Sequence, residues 1–159
     1  MPKIYEKLIA SRLSRYFEAS GVFPQHQFAY RKGLGTCDAL LTVSHHLQMA
    51  LEKNWEARLV QLDFSAAFDR VSHPGLVYKL QAAGVGGHLL SVQRNFLAER
   101  TMRVVLVGCA SPCVDVVSGV PQGSVIGPLL FVVYTRDLFD VVENMMFNYA
   151  DDSTLVAVI

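Results

Sequence analysis

Two adjacent acids, Asp151 and Asp152, lie between two short apolar runs near the end of the sequence. The runs on either side, residues 147–149 and 153–156, have the length and composition of strands. Adjacent carboxylates repel each other, and a buried carboxylate without a partner is unfavourable. Strand alternation sends the two side chains in different directions, so the two acids need not share a role. The pattern predicts a hairpin whose acids occupy either an ordinary turn, where Asp is favoured, or a charged site.

A third acid, Asp63, lies at the end of another strand-like segment, residues 58–64. One interpretation makes it a helix N-cap directly after the strand. The other makes it a partner of the acidic pair, because Asp63 and Asp151 each end a strand that looks buried. The two acids are 88 positions apart in the sequence. If those strands are neighbours, their carboxylates converge at one edge of a sheet.

Converging carboxylates on a rigid sheet suit phosphoryl transfer. Magnesium prefers hard oxygen ligands and commonly uses one or two carboxylates together with substrate phosphates. Two such ions can hold the attacking oxygen, the leaving oxygen and the phosphoryl group between them. Glycoside hydrolysis also uses two carboxylates, but it gives no reason for the glycine-bearing loop between the acidic segments.

That loop, Ser118–Ser124, contains two glycines and one glutamine. Gly119 and Gly123 would let the backbone approach a flat ligand closely, and Gln122 carries both donors and acceptors. A generic turn built on glycine and proline explains the same residues without any ligand. The loop alone therefore leaves both interpretations open.

The rest of the chain alternates helical and strand-like segments without a regular βαβ repeat. The apolar periodicity and the end signals predict helices over 4–19, 36–53, 74–83, 88–97 and 128–140, and strands over 58–64, 102–107, 113–117 and on both sides of residues 151–152. The strands over 102–107 and 113–117 are expected to form a hairpin around Gly108. This mixture predicts an α+β fold.

Composition limits the class of protein further. The chain is 52% hydrophobic and 18% charged, which is too apolar for a disordered segment. Fourteen basic and fourteen acidic residues balance, so net charge gives no support for nucleic-acid binding. No apolar run approaches the ~20 residues of a membrane helix, so no membrane partner is expected.

The three cysteines, Cys37, Cys109 and Cys113, show no zinc-ligand spacing. An odd number of cysteines without a signal peptide indicates reduced thiols inside a cell. We expect them to be packing residues. The sequence does not decide between the nucleus and the cytoplasm.

Taken together, these segments resemble the reverse transcriptases of retrotransposons that lack long terminal repeats. Asp63–Asp69 (DFSAAFD), Gly119–Ser124 (GVPQGS) and Tyr149–Asp152 (YADD) are similar to motifs A, B and C of that family, in the family's order. Gln25–Gly33 (QHQFAYRKG) resembles its fingers motif, and Gly127–Phe131 (GPLLF) resembles the continuation of motif B. Several motifs in order, over nearly the whole chain, are far more specific than any one of them.

The resemblance implies a two-metal site for nucleotidyl transfer, with two Mg²⁺ ions that Mn²⁺ can replace. Asp63 and Asp151 would be the metal ligands, joined by the backbone carbonyl of Phe64. Asp152 would be a neighbouring, weaker ligand. The catalytic set implied by the family is therefore Asp63, Asp151 and Asp152.

The resemblance also implies where substrates bind. The nucleotide-binding residues would be Arg31, Lys32, Phe68, Gln122 and Gly123, and the template or primer contacts would be Pro121, Gln122, Gly123 and Tyr149. The Phe68 ring would collide with a 2′-hydroxyl and so select deoxynucleotides. Without the resemblance, Phe68 is a core residue, and Arg31 with Lys32 is an exposed basic pair. Ala29 and Ala66 depart from the glycine and lysine usual in the family, but neither touches the metal chemistry.

The implied architecture is a polymerase right hand. Residues 1–57 would be partial fingers, and residues 58–159 would be the palm, an antiparallel catalytic sheet flanked by helices, with the thumb absent. The parent protein would copy an RNA template from a DNA primer with deoxynucleotides in support of retrotransposition, and the 159-residue chain alone is expected to be inactive.

Other functions share parts of this pattern. Viral RNA-dependent RNA polymerases usually carry Gly-Asp-Asp and no aromatic residue at the sugar, whereas this chain has Tyr149 and Phe68. Telomerases and intron maturases share the palm, but the motifs here fit mobile elements better. A non-catalytic remnant or nucleic-acid-binding module is the alternative from another class. The intact acids argue against it, and the expected truncation argues for it.

Overall fold

The computed structural model describes residues 3–159. The helices are α1 Lys3–Ala19, α2 Thr36–Glu52, α3 His73–Ala82, α4 Gly87–Leu97, α5 Gly127–Thr135 and α6 Leu138–Val141. The strands are β1 Ala57–Leu62, β2 Thr101–Met102, β3 Val105–Leu106, β4 Cys109–Ala110, β5 Val114–Asp115, β6 Met145–Tyr149 and β7 Asp152–Val158. Mixed helices and antiparallel sheets confirm the α+β prediction.

The largest sheet has three antiparallel strands in the order β1–β7–β6. In its register, Leu62 lies opposite Ser153, and Tyr149 lies opposite Asp152. The outer edge of β6 is bridged in parallel by Gln27, which pairs with Asn148. The end of β1 and the β6–β7 turn consequently lie at the same end of this sheet.

The main core is formed by helices from both ends of the sequence. The apolar stripe of α1 and the almost wholly apolar α5 meet α3 and α4, as their periodicity requires. The buried residues at the centre of this core are Leu13, Phe17, Leu76, Leu80, Leu97, Leu130 and Val133.

A second, smaller apolar cluster joins α2 to the three-stranded sheet. Phe28, Phe147 and Val156 are buried there, and α2 contributes Val43 and Leu47. Because α1 shares the main core with later helices and α2 packs on the sheet, no break between cores falls at residue 57. The division into fingers and palm stays a prediction.

The exposure of β1 differs from the prediction. We expected a buried strand before Asp63, but Leu59, Val60 and Leu62 are 44%, 49% and 42% exposed. The strand prediction itself is confirmed, and the expectation of burial is wrong. The reason is position, since β1 lies at one edge of the described sheet and pairs there with β7.

One helix and one hairpin are interrupted where the sequence predicts continuous elements. The expected helix over 128–140 is divided into α5 and α6, where Lys79 binds the Tyr134 carbonyl and forms an ion pair with Asp137 at 2.6 Å. The expected hairpin around Gly108 exists, but its ladder is split into the pair β3–β4 and the pair β2–β5. Hydrogen bonds between Val104 and Ser111 fill the gap between the two pairs.

The three cysteines are free and exposed. The expectation that they pack in the interior is therefore wrong. Within residues 3–159, no helix combines the length and the apolarity needed to cross a membrane.

Candidate active site

The acidic segment forms a hairpin with a two-residue loop. Tyr149 pairs with Asp152, so Ala150 and Asp151 are the loop residues and Asp152 begins β7. The sequence predicted the hairpin correctly but put both acids in the turn. Ala150 has φ +61°, a backbone conformation that glycine adopts more easily. Asp151 is half-buried at the tip, and Asp152 is exposed beside it.

Asp63 lies next to this hairpin. The β1–β7 register ends at Leu62 opposite Ser153, and continuing it by one residue would place Asp63 opposite Asp152. Asp63, Asp152 and Thr154 line one cleft of about 320 Å³. The structure thus brings Asp63 and Asp152 together, with Asp151 on the adjoining turn.

The donor set in this cleft fits a hard divalent cation. Carboxylate oxygens are the ligands that Mg²⁺ prefers, and Asp63 and Asp152 present them into the same space. Among residues 3–159, no group of three or more carboxylate, imidazole or thiol side chains is close enough to hold one ion together. A bound ion would therefore complete its ligand set with backbone carbonyls, substrate phosphates or water.

The segment after Asp63 turns sharply. Ala66 has φ +53°, and the chain then enters a 3₁₀ turn, Ala67–Arg70. The backbone carbonyl of Phe64, predicted to face a metal ion, accepts a hydrogen bond from the Ala67 amide at 3.2 Å. That carbonyl retains a second lone pair for another partner.

Phe68 lies between the main core and the surface. Its ring stacks on Phe131 with 4.4 Å between centroids and 22° between planes. It is only partly buried, because one side contacts the core and the rest remains accessible. This position is compatible both with packing and with contact to a substrate sugar.

The glycine-bearing loop is tied to the segment that carries Asp63. Gly119 has φ +85°, and a Cβ there would lie 2.8 Å from the Cα and carbonyl oxygen of Asp69. The amides of Gly119 and Val120 donate to the carbonyls of Val71 and Phe68 at 2.8 and 2.9 Å. We expected Gly119 to allow the close approach of a ligand, but the group that lies close to it is the backbone of Asp69. Gly119 thus holds the two motif-bearing segments against each other.

Gln122 and Gly123 remain at the surface. The Gln122 side-chain amide donates to both carboxylate oxygens of Asp69, at 3.0 and 3.2 Å. Gly123 has φ +73°, and its Cα faces open space. Together with Pro121, these residues line a cleft of about 580 Å³ that also contains the basic side chain of Arg100. Both residues are accessible to a ligand, as their predicted roles require.

Arg31 is occupied by partners within the chain. Its guanidinium makes two hydrogen bonds to the Glu18 carboxylate, at 2.8 and 2.9 Å, and one to the Pro24 carbonyl at 2.9 Å. This hydrogen-bonded contact with Arg31 lowers the pKa of Glu18. A role in binding triphosphate requires Arg31 to exchange these partners. Lys32 is exposed.

Two tyrosines flank Asp151. Burial raises the pKa of Tyr30, and the nearby charges of Asp151 and Tyr149 raise it further. Tyr30 also has φ +59°, an unusual backbone conformation for a residue with a side chain. Tyr149, a predicted template or primer contact, is 37% exposed. The fingers-like segment and the acidic turn are therefore neighbours in space.

Sequence reasoning missed two buried polar residues around the site. Gln27 is 1% exposed, and its side-chain oxygen accepts from the Ala150 amide at 3.4 Å. Glu6 is 4% exposed and accepts from the Val125 amide at 2.7 Å, so it fixes the end of the glycine-bearing loop. Glu6 sits on the apolar side of α1, at i−3 from Ile9, which was the one available signal for its burial.

Comparison with known proteins establishes the class of this fold and site. A family model described as reverse transcriptase (RNA-dependent DNA polymerase) matches residues 1–158. The chain belongs to the reverse transcriptase family.

The relatives that the chain resembles are polymerases of mobile elements. It is 36% identical, over 98% of its length, to the RNA-directed DNA polymerase from mobile element jockey of Drosophila funebris. It is 32% identical, also over 98% of its length, to the probable RNA-directed DNA polymerase from transposon BS of Drosophila melanogaster. These matches confirm the resemblance to retrotransposon reverse transcriptases. The chain spans 17% and 18% of the length of these two relatives.

Proposed function

We propose that this chain carries the polymerisation site of an RNA-directed DNA polymerase from a mobile element, and that its parent adds deoxynucleotides to a DNA primer on an RNA template. The supporting observation is the placement of Asp63 beside the acidic hairpin at one end of the three-stranded sheet. In this assignment residues 1–57 belong to the fingers and residues 58–159 to the palm.

The three acids would hold the divalent ions. Asp63 and Asp151 serve as the principal ligands, with Mg²⁺ or Mn²⁺ as the ion. Asp152 adds negative charge in the cleft that it shares with Asp63. Bound ions supply charge stabilisation for the attacking oxygen, the leaving oxygen and the phosphoryl group. The chain's own contribution is to fix the carboxylates on a sheet and a short turn, which limits their movement.

The remaining site residues would place the nucleotide and the template. Phe68, whose ring stacks on Phe131, fills the space that a 2′-hydroxyl would need. Gln122 and Gly123 lie on the open side of the loop, where a base pair can approach them. Lys32 is free to contact phosphate, and Arg31 joins it once released from Glu18.

A non-catalytic, nucleic-acid-binding role is the second candidate. The observation that favours it is that Arg31 is fully engaged with Glu18 and nearby carbonyls, as expected of a residue with a structural role. In that case the chain would keep the fold and bind primer–template without extending it.

Primer extension separates the two candidates. A longer form of the protein that contains this domain is assayed on an RNA template with deoxynucleotides and Mg²⁺, beside Asp63→Asn and beside a chelated sample. The proposal expects extension by the unmodified protein alone. Extension that survives Asp63→Asn would remove Asp63 from the site, and retained template binding with no extension under any condition would favour the second candidate.

A further inference from the structure

Gln27 connects the fingers-like segment to the acidic turn. Its side chain is 1% exposed, and its Oε1 atom accepts hydrogen bonds from the amides of Ala29 at 3.0 Å and Ala150 at 3.4 Å. The backbone around it is fixed against β6, because the Phe28 amide donates to the Asn148 carbonyl and the Asn148 amide donates to the His26 carbonyl, both at 2.9 Å. The backbone on both sides of Gln27 is therefore fixed against β6, and this keeps the Gln27 side chain close to the turn.

The Ala150 amide needs this acceptor. In a two-residue hairpin loop the strand ladder stops at the flanking pair, so the loop amides have no ladder partner. Ala150 is 8% exposed, so water has little access to replace a missing acceptor. Its φ of +61° is unfavourable for a residue with a side chain. Local sequence thus works against this turn geometry, and a contact from outside the hairpin has to stabilise it.

We infer that Gln27 is a positioning residue for the acidic turn. By holding the Ala150 amide it fixes the peptide that precedes Asp151, and with it the direction in which the Asp151 carboxylate is presented. Gln27 itself need touch neither substrate nor metal. The inference rests on the proposed function, in which Asp151 is a ligand of a divalent ion.

A matched pair of buried glutamines tests the inference. Gln27→Met keeps the length of the side chain and removes the acceptor. Gln93→Met makes the same change at a glutamine that is also fully buried, but whose side-chain oxygen and nitrogen have no hydrogen-bond partner among residues 3–159. If Gln27→Met does not fold, Gln27→Asn replaces it, because its side chain is one methylene shorter and moves the carbonyl away from the Ala150 amide.

Amide hydrogen exchange of the 159-residue chain is the first measurement. We expect the Ala150 amide to exchange at least ~10-fold faster in Gln27→Met, with the Phe147 amide changed by less than about twofold, because the opening is local rather than global. Gln93→Met should leave Ala150 at its original rate. Equal Ala150 exchange in the unmodified chain and in Gln27→Met would overturn the inference.

Binding of Mn²⁺, followed by electron paramagnetic resonance, is the second measurement. We expect Gln27→Met to weaken Mn²⁺ binding ~10-fold, because the loss of hydrogen bonds that orient metal ligands commonly has an effect of that size. Gln93→Met should leave Mn²⁺ binding unchanged. Faster Ala150 exchange with unchanged Mn²⁺ affinity would also overturn the positioning role. If Asp151→Asn binds Mn²⁺ as well as the unmodified chain, the proposed metal assignment fails, and the exchange data still decide whether Gln27 holds the turn.

Discussion

The side-chain amide of Gln122 donates to both carboxylate oxygens of Asp69, at 3.0 and 3.2 Å. The two residues belong to different motif-bearing segments, and the carbonyl of Asp69 also accepts from the Ser118 hydroxyl at 2.9 Å. Asp69 therefore holds the side chain of Gln122, which is expected to contact the nucleotide and the template.

We expect Asp69→Ala to lower the rate of nucleotide addition by about tenfold in a protein with polymerase activity, since a hydrogen bond to a charged group contributes roughly 1.5–3 kcal/mol and this one is exposed. Gln122→Ala should have a similar effect. A double-mutant cycle on the addition rate then gives less loss than the sum of the single variants. Additive losses would mean that the contact has no part in addition.

Asp151→Asn should nearly abolish polymerisation. The substitution keeps shape and polarity but replaces a carboxylate by a neutral amide, and metal charge stabilisation is worth several kcal/mol, or at least about 100-fold in rate. Asp140→Asn on α6 is the matched control and should retain activity. Thermal unfolding of both variants checks that the fold is kept, and substantial activity with Asn at position 151 would refute its role as a ligand.

Phe68→Ala should admit ribonucleotides while leaving deoxynucleotide addition largely intact. The gate works by filling space, and the alanine side chain leaves that space open. Because Phe68 also stacks on Phe131, we expect a loss of stability of roughly 1–2 kcal/mol, less than for a fully buried phenylalanine.

Leu89→Ala, at another partly buried position against the main core, is the control for this stability loss. It should destabilise the protein without changing the ratio of deoxynucleotide to ribonucleotide incorporation. The same ratio for the unmodified protein and Phe68→Ala would make Phe68 a core residue only.

Features set by neighbouring residues were predictable from the sequence, and features set by distant ones were not. The hairpin at residues 151–152 follows from two apolar runs around a polar pair, and α3 follows from Pro74 near its start and Gly84, with φ +85°, after its end. The contact of Gln27 with Ala150 joins residues 123 positions apart, so no local pattern indicates it.

The burial of each strand depends on tertiary neighbours in the same way. The apolar run of β1 was typical of a buried strand, yet its place at the sheet edge leaves it exposed. The candidate acids were identified by motif order, whereas the placement of Asp63 and Asp152 in one cleft depends on the strand register.

The stability of the sheet cluster should fall in mild acid because of His26. Burial lowers the pKa of His26 below its ordinary 6.5, and the neighbouring His46 lowers it further. The ring packs on Phe147 with 4.7 Å between centroids. Since the unfolded chain binds the proton more tightly than the folded chain, this contribution to stability is complete above pH 6.5 and is lost as the pH falls through the lowered pKa.

The free energy of unfolding, measured by urea titration between pH 5 and pH 8, checks this expectation. His26→Gln should flatten the pH dependence in that window. Glu18, whose pKa is lowered from 4.5, acts only at more acidic pH and does not interfere. An equal slope with and without His26 would show that its burial has no energetic consequence.

The 159 residues alone should show no processive polymerisation. Catalysis requires the primer end to stay within a fraction of an ångström of the reacting groups, since misplacement by about 1 Å can cost ~100-fold in rate. Affinity for nucleic acid comes largely from Lys and Arg contacts to phosphate, but this chain balances 14 basic with 14 acidic residues. Arg31 and Lys79 are also already engaged in ion pairs with Glu18 and Asp137.

Binding of a primer–template by the chain should therefore be weak and lost steeply with added salt. The exposed apolar residues of β1, at the edge of the sheet, should also make the chain prone to self-association. The decisive comparison is primer extension on RNA by the 159-residue chain beside a longer polymerase that contains this domain. Long products from the 159 residues alone would mean that the carboxylates and the glycine-bearing loop hold the primer end unaided, and that net charge is a poor guide to binding here.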